Sequence, residues 1–115
     1  MITNFETITY ELTDNEKAIL PLLIIGFQNY TETDPIKEPE IVARFNERNI
    51  GLKLSAVRLR KLVNYIRSNS LLPLIATSKG YYVSTDKNVI ASQIKSLEQR
   101  ANSIMNCAYG LNAFI

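Results

Sequence analysis

Residues 55–85, SAVRLRKLVNYIRSNSLLPLIATSKGYYVST, join a helical pattern to a hairpin pattern, and this junction decides the predicted fold. Ser55 is placed to cap a helix that runs to about Ser68, because a serine oxygen accepts hydrogen bonds from the free amides of a first helical turn. Apolar residues recur along this helix at intervals of three and four, which predicts one buried face. That face consists of Leu59, Leu62, Val63 and Ile66.

The second half of the stretch predicts a β-hairpin. The runs LLPLIAT at 71–77 and YYVST at 81–85 are rich in apolar, aromatic and β-branched residues. Between them, Gly80 can adopt the positive φ that a tight hairpin turn requires. Because side chains alternate along a strand, Tyr81 and Tyr82 point to opposite faces, and we expect one to pack on the helices while the other stays half exposed.

An earlier helix begins at a capping box, Thr13-Asp14-Asn15-Glu16, in which the two outer residues satisfy each other's free amides. Pro21 should kink this helix or lie within an early turn, because it offers no amide to the carbonyl four residues back. The apolar residues that follow the box predict a mostly buried helix: Ile19, Leu20, Leu22, Leu23, Ile24, Ile25 and Phe27.

A second helix is predicted to begin near Glu38, with Pro39 at its first position, where a missing amide matters little. Its apolar stripe is Ile41, Val42 and Phe45. The sequence Asn49-Ile50-Gly51 ends it, and only a short link separates it from the helix that Ser55 caps.

The last helix pattern follows a Ser84-Thr85-Asp86 cap and carries an unbroken heptad seam. Its members are spaced 4-3-4-3-4-3: Ile90, Ile94, Leu97, Ala101, Ile104, Ala108 and Leu111. Two interpretations fit this seam equally well. Either the helix folds back on its own core, or it packs against its copy in a homodimer.

The predicted fold class is therefore mainly α with a β-hairpin. The order helix, helix, helix, hairpin, helix is the layout of a winged helix-turn-helix, with a three-helix core, a wing and a long C-terminal helix. We expect an N-terminal arm at 1–12, the winged helix-turn-helix domain at 13–86, and the C-terminal helix at 87–115, packed on the core or on a dimer mate. At 115 residues, one domain of this kind is the expected size.

Charge is sorted along the chain although the net charge is only +2. Residues 1–40 hold two lysines against eight acids, a balance of −6, whereas residues 41–67 hold seven cations against Glu47 alone, a balance of +6. A basic segment is often a solvated helix face, but this one coincides with the second and third helices. Cations there can bind the phosphates of nucleic acid.

We expect the third helix to present its outer face to a DNA major groove. At 100° per residue, the side opposite the core carries Val57, Arg58, Lys61 and Asn64, flanked by Arg60 and Tyr65. Arg58 and Lys61 are the expected base-edge or phosphate contacts, and Asn64 can read adenine or simply be solvated. The expected phosphate contacts are Arg44, Arg48, Lys53 and Arg60, with Ser55 placing helix amides near a phosphate.

The hairpin turn extends this expected DNA surface. Ser78 and Lys79 stand at its tip beside Gly80, where nothing bulky prevents approach to a phosphate backbone or minor groove. A lysine in a turn is commonly only solvated. Beside a helix-turn-helix, we interpret Lys79 as a DNA contact.

The stretch VRLRKLVNYIRSNSLLPLIATSKGYYVSTD at 57–86, with SLEQRANSI at 96–104, resembles small winged helix-turn-helix proteins encoded by phages and prophages of bacteria. The resemblance covers roughly residues 12–110. It implies a three-helix core with a β-wing, DNA binding, and a role in phage transcription control or DNA replication. No catalytic signature comes with it.

The composition argues against several other classes. Without any histidine, a cysteine pair or a glycine-rich phosphate loop, we expect no enzyme, metal site or cofactor, and the lone Cys107 favours a reducing compartment. Neither a membrane span nor a signal peptide is indicated, so the expected location is cytoplasmic. We expect Cys107 to be a buried small apolar residue rather than a nucleophile.

Two functions from different classes follow. The first is double-stranded DNA binding by a dimer whose third helices address half-sites about one helical turn apart. The alternative is a winged-helix module that binds a replication or transcription protein through its acidic N-terminal surface or its heptad helix.

Overall fold

The computed structural model describes residues 11–49 and 51–115. It contains four helices and one antiparallel hairpin, which confirms the prediction of a mainly helical chain with a hairpin. In chain order these are α1 (Asp14–Phe27), α2 (Glu38–Glu47), α3 (Ala56–Ser68), β1 (Leu74–Thr77), β2 (Gly80–Val83) and α4 (Lys87–Leu111), followed by a 3₁₀ turn at Asn112–Phe114.

The chain divides after Ser84 into two compact units. The first holds α1 to β2, and the second holds α4 and the 3₁₀ turn. Most of the predicted N-terminal arm, residues 1–10, lies outside the described residues. Leu12, at the end of that predicted arm, is buried in the core.

Helix α1 begins at the predicted capping box. The Thr13 hydroxyl accepts from the Glu16 amide at 3.2 Å, and the Thr13 amide donates to the Glu16 carboxylate at 2.9 Å. The helix continues through Pro21, which lies on its exposed side, where water can replace the missing amide.

The prediction that α1 is mostly buried is wrong. Only one stripe of its apolar residues is buried, Ile19, Leu23 and Phe27, while Leu22 and Ile25 are exposed. The reason is geometric: the other elements of the first unit pack against only one side of α1. Apolar residues on the other side of the helix, such as Leu22 and Ile25, therefore point away from the core.

A side-chain clamp joins α2 to the link that leads into α3. Asn46 donates from its amide nitrogen to the Leu54 carbonyl at 3.0 Å and accepts from the Leu54 amide at 2.8 Å. Leu54 itself is buried in the core. The Ser55 hydroxyl then accepts from the Arg58 amide at 3.1 Å, which confirms the predicted cap of α3.

The hairpin pairs Leu74 with Val83 and Thr77 with Gly80, leaving a two-residue turn. Gly80 has φ +129°, and a Cβ added there would lie 2.5 Å from the Ile36 carbonyl oxygen. This close approach occurs because Ile36, just before α2, exchanges two backbone hydrogen bonds with Tyr81, at 2.9 and 2.7 Å. The hairpin is thereby attached to the segment that leads into α2.

The core lies where α3 meets the other elements of the first unit. Its fully buried side chains are Leu59, Leu62 and Ile66, three of the four predicted for α3, and Val63 is also buried. Tyr82 is buried and Tyr81 half-buried, so the two differ in exposure as the strand alternation predicted, but the half-buried one is the one that packs on a helix. The Tyr81 ring packs edge-on against Phe27 of α1, with centroids 5.8 Å apart.

Helix α4 is capped by Asp86, whose carboxylate accepts from the Asn88 amide at 2.8 Å. None of the α4 side chains is buried. Cys107 is exposed, so the prediction that it is a buried apolar residue is wrong. Cys107 lies on the solvent-exposed surface of α4, where no hydrophobic core covers it.

Candidate nucleic-acid interface

The face of α3 that points away from the core differs from the predicted one by a rotation about the helix axis. Arg60 is exposed at its centre, with Val57 and Asn64 half-buried one turn to either side. The sequence had placed Arg60 on the flank. The burial of Lys61 accounts for the rotation, because Lys61 joins Leu59, Leu62, Val63 and Ile66 as a buried residue and the buried arc of α3 is therefore wider than the apolar residues alone indicate.

Arg60 is held by a carboxylate at the start of α2. Its Nε and Nη2 donate to the two oxygens of Glu38 at 3.2 and 3.0 Å. These hydrogen bonds and the Glu38 charge raise the pKa of the Arg60 guanidinium. Because a guanidinium carries five N–H groups in one plane, Arg60 keeps donors beyond those that Glu38 uses.

Glu38 also joins this face to the hairpin. Burial is the main cause that raises the pKa of the Tyr81 hydroxyl, and the charge of Glu38 and a hydrogen bond to it raise it further. The positive charges of Arg67 and Arg60 lower the pKa of the same hydroxyl. Glu38, Arg60, Arg67 and Tyr81 therefore form one electrostatic cluster between α2, α3 and β2, which we call the Glu38 cluster.

A surface cavity of about 300 Å³ adjoins the Glu38 cluster and reaches the hairpin turn. Lys37, Glu38 and Ser78 are among the residues that line it. Lys79 is exposed in the same turn, and its amide donates to the Thr77 hydroxyl at 3.2 Å. The cavity lining thus connects Ser78 in the turn with Glu38, the carboxylate that binds Arg60.

Lys53 and Ser55 precede α3 and are both exposed. The Lys53 carbonyl accepts from Arg58 Nη1 at 2.7 Å, which ties the backbone ahead of the helix to the first turn of α3. The exposed cations that border α3 and the hairpin are therefore Lys53, Arg60 and Lys79, with Lys37 at the cavity rim.

The prediction that Lys61 faces outward is wrong. Lys61 is 8% exposed, and its ammonium lies 2.7 Å from the Glu16 carboxylate of α1, which is itself 3% exposed. Arg58 is half-buried beside it and donates from Nε to the other Glu16 oxygen at 3.2 Å. The physical reason is the neighbouring helix: α1 covers the side of α3 that carries these two cations, and the Glu16 carboxylate binds both of them.

Burial raises the pKa of Glu16, but the other interactions outweigh it. Hydrogen bonds from the Lys61 ammonium, the Thr13 amide and the Arg58 guanidinium, together with the Lys61 charge, hold this pKa below its ordinary value. Glu16 is therefore ionised in the folded protein. It binds Arg58 and Lys61, the two residues of α3 that the sequence predicted as base-edge or phosphate contacts.

The remaining predicted contacts lie elsewhere. Arg44 forms a salt bridge with Glu40 at 3.1 Å and donates to the Tyr30 hydroxyl at 2.7 Å. With Arg48 it lines a different cavity, of about 300 Å³, between α1 and α2. Tyr65 is half-buried against the core, and its carbonyl accepts from the Asn69 side chain at 2.9 Å. The structure does not bring these three residues into the Glu38 cluster.

Sequence reasoning missed Glu38 and Lys37 as members of this surface. In the sequence, Glu38 marks only the predicted start of α2. Its link to Arg60 spans 22 residues, so no local spacing signals it. Ile36, which attaches the hairpin, is a single paired residue and gives no strand pattern.

The seam of α4 is exposed from Ile94 to Leu111. Ile94, Leu97, Ile104 and Leu111 are large hydrophobic residues that are 50%, 39%, 57% and 64% exposed. Ala101 and Ala108 are exposed between them, and Ile90 is half-buried.

Within residues 11–49 and 51–115, histidine, cysteine and acidic side chains form no group of three or more that could hold a metal ion. Over the same residues, no helix combines the length and the apolar character needed to cross a bilayer. The chain matches no protein-family model, no curated protein and no solved structure.

Proposed function

We propose that this protein binds double-stranded DNA as a winged helix-turn-helix, with Lys53, the exposed face of α3 and the turn at Ser78-Lys79 as its contact surface. The order of elements supports this interpretation. So does the pairing of Ile36 with Tyr81, because it attaches the hairpin beside the helix pair α2 and α3.

The observation that carries the proposal is the Glu38 cluster. Glu38 binds the guanidinium of Arg60 on α3 and also interacts with the hydroxyl of Tyr81 on β2, so it links the helix to the hairpin. A helix and a wing can contact one duplex only if both lie on the same side of the fold. This cluster supports that arrangement more directly than the basic composition does.

The charge left on this surface sets the expected strength of binding. Arg58 and Lys61 share the single negative charge of Glu16 and their donors point at it, and Glu38 offsets part of the charge of Arg60. About three phosphate contacts remain for Lys53, Arg60 and Lys79, which corresponds to a slope of about −3 in a plot of log affinity against log salt. We therefore expect moderate affinity that falls steeply with salt.

Lys53→Ala combined with Lys79→Ala tests the proposal. Both side chains are exposed, so the fold should be unchanged, and the affinity for a fluorescent 30-base-pair duplex at low salt should fall about tenfold or more. Fluorescence anisotropy measures this affinity. The matched control is Lys87→Ala with Lys95→Ala, which removes the same charge from α4 and should change affinity far less.

Two results would refute the proposal. One is wild-type binding no stronger than that of an uncharged carrier protein at low salt. The other is an equal loss of affinity in both double variants, since DNA binding would then depend on net charge rather than on this surface.

A second candidate function is a protein-interaction module. It is favoured by the intramolecular pairing of Arg44, Arg58, Arg60 and Lys61, which uses part of their charge within the chain, and by the exposed apolar seam of α4. Under this alternative, the Lys53 and Lys79 double variant would leave partner capture intact.

A further inference from the structure

The α4 seam alternates large and small residues in a way that is complementary to itself. Consider two copies of α4 that run antiparallel and are centred between residues 102 and 103. Ala101 of one copy then lies opposite Ile104 of the other, and Ala108 lies opposite Leu97. The same arrangement places Ile94 opposite Leu111. Each alanine then faces a large side chain, and six of the seven seam residues find partners within the seam itself.

We propose that two copies of α4 pack against each other as an antiparallel pair centred between Asn102 and Ser103. A two-fold axis relates the copies, so one surface serves both, which is the commonest symmetry of homodimers. This inference does not depend on DNA binding. It concerns a unit of the chain that the proposed DNA surface does not use.

Packing decides between the two orientations. In a parallel pair, equivalent positions meet, so Ala101 would face Ala101 and Ala108 would face Ala108, leaving two thin layers along the seam. The antiparallel pair fills those layers with Ile104 and Leu97. Cores in which large residues face small ones are better filled and more stable than cores with voids.

The exposure of the seam provides the surface that such a pair needs. Ile104 and Leu111 are more than half exposed, and Leu97 and Ile94 are 39% and 50% exposed. A heptad repeat keeps these residues on one side of the helix along its 25 residues, or about 37 Å. An apolar stripe of this length, unburied in the single chain, is a surface suited to a partner helix.

Charges beside the seam are compatible with this pairing. Glu98 and Arg100 flank the apolar positions, one on each side. In the antiparallel pair, Glu98 of one copy neighbours Met105 of the other, and Arg100 neighbours Cys107, so no like charges meet across the interface. A second copy therefore fits this helix in both shape and charge.

Spin labels on the outer side of α4 can distinguish the two orientations without altering the seam. The labelled full-length variants are Ser92→Cys and Gln99→Cys, each in a Cys107→Ser background. With a rise of 1.5 Å per residue, the antiparallel pair separates the two Ser92 sites by about 32 Å along the axis and the two Gln99 sites by about 10 Å. Including the width of the pair, we expect label distances of roughly 35 and 20 Å.

Pulsed electron paramagnetic resonance at tens of micromolar protein measures both distances, and sedimentation of the same samples confirms the dimer. A Ser92 distance that exceeds the Gln99 distance by about 10 Å or more supports the antiparallel pair. Nearly equal distances would show a parallel pair and overturn the proposal, as would a monomer without dipolar coupling. Circular dichroism of each variant verifies that the helix is intact.

Discussion

At the scale of single residues, Gly80 has both a positive φ and a close contact with the backbone of Ile36. Its φ of +129° and the nearby Ile36 carbonyl exclude a side chain. We expect Gly80→Ala to lower the free energy of unfolding by roughly 2 kcal/mol or more, through backbone strain and displacement of the hairpin. Urea denaturation followed by circular dichroism measures this change.

Gly26 offers a matched control for that substitution. It lies inside α1, and a Cβ added there meets nothing within 4 Å. Gly26→Ala should stabilise the protein by about 0.5 to 1 kcal/mol, because alanine favours a helix interior. If Gly80→Ala proved as harmless as Gly26→Ala, the tight contact between the hairpin and Ile36 would be wrong.

Glu16 is the residue whose ionisation should govern stability in acid. Its folded-state pKa lies below the ordinary value of 4.5, so its ionised form stabilises the fold at pH values above that figure. This contribution is lost as pH falls from there through the lower folded-state pKa. We expect Glu16→Gln to lower the free energy of unfolding by about 3 kcal/mol at pH 7, because it leaves the buried Lys61 ammonium without a counter-charge.

The difference between wild type and Glu16→Gln should be the same at pH 5 as at pH 7, and should shrink when urea unfolding is repeated at pH 3. Glu11→Gln changes an exposed acid and serves as the control, with little effect at any of the three values. A Glu16→Gln penalty that stays constant from pH 7 to pH 3 would contradict the ion-pair assignment.

Lys61 shows why the sequence predicted the core of α3 better than its outer face. Helical spacing predicted Leu59, Leu62 and Ile66 as buried, and all three are fully buried. The same spacing cannot show that Glu16, 45 residues earlier, lies against the helix and binds Lys61. Long-range ion pairs depend on how helices pack, which local periodicity does not encode.

At the scale of elements, local sequence signals predicted where helices α1 and α3 begin and where the hairpin turns. The capping box at Thr13, the serine cap at Ser55 and the turn before Gly80 all confirm their predictions. The Asn46 clamp was not predicted, because an asparagine near the end of a helix has many ordinary uses. Its function becomes apparent only when its contact with Leu54, eight residues later, is seen.

Asn46→Ala should therefore destabilise the link between α2 and α3. It leaves the partly buried amide and carbonyl of Leu54 without these hydrogen bonds, at a cost of about 1 to 3 kcal/mol in unfolding free energy. Thermal and urea unfolding measure the loss. Glu47→Ala, at the exposed neighbouring position, is the control, and equal effects of the two substitutions would contradict the clamp.

At the scale of the whole molecule, the sorted charge of the sequence has a structural use. Acids from the first 40 residues meet cations from the basic segment: Glu16 binds Arg58 and Lys61, Glu38 binds Arg60, and Glu40 binds Arg44. Much of the basic segment thus balances the acidic one within the fold. The cations proposed to contact DNA are the smaller exposed set around α3 and the hairpin turn.

The most direct test of the proposed DNA surface is a nuclear magnetic resonance titration of the ¹⁵N-labelled full-length protein with a duplex at low salt. Binding through this surface predicts that amide shifts concentrate at Lys53, around Val57 to Asn64, and at Ser78 and Lys79, and that added salt reverses them. An absence of shifts at excess duplex, or shifts confined to α1 and α4, would contradict it.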